Sequence, residues 1–116
     1  MRLALTFALT LALAPLLPAA MAWAGDDSDL RQGWALADTN CGGCHALGPV
    51  GASHHRDAPP FRDIANMYSV EELEDSLDEG VATEHPDMPD WDMSEKEAHQ
   101  LAVFIMSLAS YGKGKS

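Results

Sequence analysis

Apolar positions recur at helical spacing in four stretches of this chain. Leu30, Gly33, Trp34, Ala37 and Cys41 fall on one face of the first, which ends at a pair of cysteines. Phe61, Ile64, Ala65 and Tyr68 share a face over a short second stretch. Ser69 with Glu72 forms an S-x-x-E capping box ahead of Val70, Leu73 and Leu77, and Gly80 supplies a stop. Ser94 with Glu97 forms a second capping box before a last helix with Ala98, Leu101, Phe104, Ile105 and Leu108 on one side. Asp26, Asp27 and Asp29 lie where the dipole of the first helix favours negative charge. Residues Gly25 to Asp29 are expected to form a mobile, acidic lead-in to it.

Between these stretches the composition changes. Ala46 to Pro60 contains Gly48, Pro49, Gly51, Ser53, Pro59 and Pro60, all of which discourage regular structure. Val81 to Met93 reads as a second loop around His85-Pro86-Asp87-Met88-Pro89, and Tyr111 to Ser116 as a frayed tail. There is no internal repeat and no strand pattern. The expected fold class is all-α, three to four helices.

The chain begins Met1-Arg2, runs apolar from Leu3 to Leu13, breaks at Pro15 and Pro18, and reaches Ala22-Trp23-Ala24. A basic start, an apolar stretch and a small-x-small site predict a signal peptide over residues 1–24, cleaved after Ala24. The competing reading is an uncleaved membrane anchor; two prolines and two threonines make a poor spanning helix. Residues 25–116 then form a single exported domain, expected in the periplasm as a monomer without stable membrane insertion.

Charge narrows the choice of partners. The net charge is −11, and removal of residues 1–24 takes away Arg2 and no acid, which leaves −12. Such an excess argues against nucleic acid and anionic membrane surfaces. It suits either a basic patch on a protein partner or plain solubility.

The candidate chemistry lies in Cys41-Gly42-Gly43-Cys44-His45. Two thiols three positions apart, followed directly by an imidazole, match the pattern for covalent haem attachment. One helical turn brings both sulfurs to the two vinyl groups on one porphyrin edge, and His45 then faces the iron as proximal ligand. Gly42 and Gly43 leave the backbone free to lie against the macrocycle. The expected cofactor is one haem c, held through two thioethers. A thioredoxin-like motif needs a βαβ setting, a structural zinc site needs four ligands, and a disulfide at this spacing would be strained. A domain this small struggles to bury enough surface unaided, and a macrocycle would supply the missing core.

With these residues in place, the chain resembles a class I monohaem cytochrome c of the small bacterial kind. The likeness extends over roughly Leu30 to Ala109 and rests on the haem motif, Pro59-Pro60-Phe61, the His85–Pro89 loop and the capped last helix. The resemblance implies a cytochrome c fold wrapped on the haem. It also implies a methionine as sixth iron ligand in a Pro-flanked loop, the place that Met88 occupies. A thioether is a soft ligand that raises the potential. The resemblance further implies that Pro59, with Pro60 as the competing assignment, presents its carbonyl to Nδ1–H of His45. Gly33 and Trp34 would cross the last helix near Phe104 and Leu108.

Other residues compete for roles. His54 and His55 rival Met88 as axial ligands, while His85 lies too close to Met88 to ligate beside it. His99 is expected on the solvated side of the last helix. Met67, Met93 and Met106 read as packing. Trp91 and Tyr68 suit either haem propionates or packing, and Arg56 and Arg62 suit the surface. The run Glu71-Glu72-Leu73-Glu74-Asp75 reads as a wet helix face. Val103 and Met106 are expected on the outer side of the last helix as an apolar patch.

Two functions follow. With His45 and Met88 both bound, the iron has no open position, which predicts a non-enzymatic electron carrier that meets transient redox partners. An open distal site with His54 or His55 beside it would instead make a ligand-binding haem protein, a gas sensor or weak peroxidase.

Overall fold

The computed structural model describes residues 24–80 and 85–113. Helix α1 spans Ala24–Asn40, α2 Phe61–Ile64, α3 Val70–Glu79 and α4 Glu95–Met106, and a 3₁₀ turn covers Ala109–Tyr111. The signal peptide expected over residues 1–24 lies, apart from Ala24, outside the described residues, as do 81–84 of the second loop. Among the described residues there is no strand, and no helix is long and apolar enough to cross a membrane.

Both capping boxes are formed. The Ser69 hydroxyl accepts from Glu72 N–H and the Glu72 carboxylate accepts from Ser69 N–H; Ser94 and Glu97 make the same reciprocal pair. Each box satisfies backbone donors that a helix start otherwise leaves to solvent. Gly80 closes α3 at φ 88°, a conformation that favours glycine.

α1 and α3 both pack against α4. The contact between α1 and α4 depends on Gly33: a Cβ there would overlap the Gln100 carbonyl and touch Phe104. Leu101 and Ile105 are the largest fully buried side chains, joined by Ala37, Phe61, Leu73 and Leu77. α4 is thus the central element, contacted by α1, α2 and α3 and buried mainly through apolar side chains.

The structure corrects several expectations. Gly25 to Asp29 are helical, since α1 begins at Ala24. Asp27 and Asp29 fall in the N-terminal part of this helix, toward the positive end of its dipole, and Asp29 accepts from the Gln100 amide at 3.1 Å. Trp34 is 52% exposed and does not fill the space beside the helix crossing. Val103 is half-buried and Met106 packs against the core, so no outward apolar patch forms there.

The tail is held as far as Lys113. Asn66 Nδ2 donates to the Ala109 carbonyl at 2.8 Å, and Lys113 N–H donates to Asp63 at 3.0 Å. Gly112 lies so close to the Arg62 carbonyl that a Cβ would not fit.

Candidate haem site

Cys41 and Cys44 follow directly from α1, whose last turn continues through hydrogen bonds from Cys41 and Gly42 N–H to the Ala37 carbonyl. Cys44 and His45 N–H both donate to the Cys41 carbonyl, at 3.1 and 3.0 Å. This tight turn places both thiols and the imidazole along one wall of a cavity of about 670 Å³. Ligand and cofactor pockets span roughly 300–1,000 Å³. Ile64, Leu73, Leu77, Leu101 and Ile105 supply an apolar interior, and Met88 and Trp91 line the cavity from the second loop.

His45 Nδ1 lies 2.7 Å from the Pro59 carbonyl oxygen. A carbonyl only accepts, so Nδ1 carries the proton and, in the neutral ring, Nε2 keeps its lone pair free for a metal. Pro60 is otherwise engaged: its carbonyl accepts from Asp63 and Ile64 N–H at the start of α2. Phe61 wedges the imidazole from behind, with ring centroids 5.2 Å from His45 and 6.2 Å from Phe104 on α4. Its own N–H donates to the Ala46 carbonyl at 2.9 Å, which locks α2 to the residue after His45.

Cys41 is buried, and burial together with the neighbouring Cys44 thiol pushes its pKa up to about 11. Burial of this kind disfavours the thiolate that a reactive redox cysteine needs. Among the described residues, no three His, Cys, Asp or Glu side chains group as a metal site.

Three methionines, Met67, Met88 and Met93, line the cavity, and Met106 does not. Met67 is 53% exposed and Met93 packs against the hydrophobic core. Met88 sits on a turn closed by its own N–H to the His85 carbonyl at 2.8 Å. His55 and His85 also line the cavity, while His54 does not. Tyr68 and Trp91 line it too, with a hydroxyl and an indole N–H to offer.

No lysine or arginine is among the lining residues. Arg56 pairs with the adjacent Asp57 at 3.4 Å. Arg62 turns the other way and donates to the Gly48 and Gly51 carbonyls at 3.3 and 2.7 Å, which braces the first loop. Neither this brace nor the wedge formed by Phe61 has a sequence signal of its own: both depend on partners at least eleven positions away.

His99 lies on the exposed side of α4, as expected, and it also has partners there. Its Nδ1–H donates to Glu74 of α3 at 2.7 Å, and its Nε2 lies 3.7 Å from Asp29 of α1. The histidine thus links α4 to α3 and α1.

A family model for cytochrome c oxidase, cbb3-type, subunit III matches residues 28–105. The chain belongs to this family. The match runs from within α1 to the last turn of α4 and makes the chain a small all-α cytochrome c domain. Haem c is the cofactor of such a domain, and electron transfer is its work. Neither the curated proteins nor the solved structures gave a match to this chain.

Proposed function

We propose that the protein is a periplasmic electron carrier with one covalently attached haem c. Cys41 and Cys44 would hold the porphyrin through thioethers, and His45 and Met88 would ligate the iron. Haem, when bound, supplies an iron that changes by one electron between ferrous and ferric states. The observation that carries this reading is the convergence of both thiols, the His45 ring and Met88 on one apolar cavity.

The residues divide the work. The Pro59 carbonyl fixes the tautomer and orientation of His45, while Phe61 packs against the ring. Ile64, Leu73, Leu77, Leu101 and Ile105 exclude water, which raises the energetic weight of every charge inside. A filled sixth position leaves no site for a substrate, so the chain moves electrons and makes or breaks no substrate bond. The acidic surface favours brief encounters with a partner that presents a basic patch.

Optical spectra of the ferric protein test the ligand set. The sulfur–iron charge-transfer band is expected in the wild type and absent in Met88→Ala; its persistence in the variant contradicts Met88 ligation. Reduced wild-type protein is expected not to bind carbon monoxide at neutral pH. Rapid binding would favour the open-site, ligand-binding alternative.

A further inference from the structure

His55 makes three contacts that the axial ligand set does not use. Its backbone N–H donates to the Cys44 carbonyl at 3.1 Å, which ties it to the cysteine motif. Its ring Nδ1 accepts from the Asp57 backbone N–H at 3.2 Å. A ring nitrogen that accepts carries no proton, so the neutral imidazole is protonated at Nε2. That nitrogen faces the Asp87 carboxylate at 3.5 Å.

Asp87 immediately precedes Met88. Among the described residues no backbone hydrogen bond joins residues 85–93 to another segment, so side chains hold this loop in place. One imidazole therefore spans from the cysteine segment to the methionine segment at the edge of the cavity that both line.

We propose that His55 and Asp87 form a clasp that positions Met88. The inference rests on Met88 as the axial ligand. His55 is then a positioning residue rather than a rival ligand: one ring nitrogen is occupied by its own loop and the other is turned toward Asp87. The clasp restricts excursions of the Met88 loop and so disfavours replacement of the thioether by an outside ligand. The pair is partly exposed, with side-chain accessibilities of 36% and 76%, which limits its effect on an equilibrium to about fivefold.

Imidazole titration of the oxidised haem protein reads the clasp directly, followed by loss of the sulfur–iron charge-transfer band. His55→Ala and Asp87→Ala are each expected to bind imidazole roughly two- to fivefold more tightly than wild type, and the double variant no more tightly than either. His55→Gln, which keeps a donor near the Nε2 position, is expected to move back toward wild type. His54→Ala, in the exposed neighbour, serves as the control. Nitrogen-15 spectra are expected to show His55 protonated at Nε2 when neutral. Imidazole affinities for His55→Ala and Asp87→Ala equal to that of His54→Ala would overturn the clasp. A wild type without the band would overturn Met88 ligation itself, and the clasp with it.

Discussion

Gly33 of α1 packs directly on the Gln100 carbonyl of α4, and a methyl group there would overlap backbone atoms. Two effects oppose each other in Gly33→Ala. Alanine gains about 1 kcal/mol in helix propensity, whereas overpacking against a backbone costs about 1–3 kcal/mol, and here α4 itself must shift. A net loss of about 2 kcal/mol is expected in denaturant unfolding of the haem protein. Because α4 also floors the cavity, the charge-transfer band should weaken in parallel.

Asn66 ties α2 to the turn after α4 through two carbonyls, Arg62 at 3.1 Å and Ala109 at 2.8 Å. Asn66→Ala removes both donors and leaves the carbonyls to find water. A loss of about 1–2 kcal/mol is expected. Hydrogen exchange should show the segment from Ala109 to Lys113 opening sooner than in wild type, with α1 unchanged.

The cap of α4 makes a pH-dependent contribution. Hydrogen bonds from Ser94 backbone and hydroxyl lower the Glu97 pKa below its usual 4.5. A lowered folded-state value means that the stabilisation is present above 4.5 and is lost as pH falls through the folded value. Glu97→Gln should therefore be less stable than wild type at neutral pH, with the two converging in acid. Ser94→Ala, which removes the cap acceptor, should cost about 1 kcal/mol at neutral pH.

His99 bridges α3 and α1 through Glu74 and Asp29. The site is half exposed, which limits the pairs to about 1 kcal/mol in His99→Ala. Thermal unfolding should show a small drop that shrinks further as salt is raised, because exposed charges are screened.

The contrast between these residues shows what a sequence can disclose. Capping boxes act between positions three apart, and amphipathic faces repeat every three or four. The starts of α3 and α4 and most of the buried face of α4 were therefore legible, as was the cysteine pair with its histidine. The helical state of Gly25 to Asp29 was not, because Asp29 is held by Gln100, seventy-one positions later. Likewise Arg62 reads as a surface cation until the first loop folds back and presents the Gly48 and Gly51 carbonyls. Trp34 failed in the opposite direction: its spacing suits the buried face, yet the close approach at Gly33 leaves the indole outside. His55 could be seen as a cavity histidine, but its contact with Asp87 spans two loops with no shared periodicity.

Covalent attachment of haem through Cys41 and Cys44 is the central claim, and thiol titration of the denatured protein alongside its haem absorption tests it most directly. The account predicts one haem per chain that stays with the polypeptide on denaturation, and no titratable thiol. Colourless protein with both thiols free would contradict it.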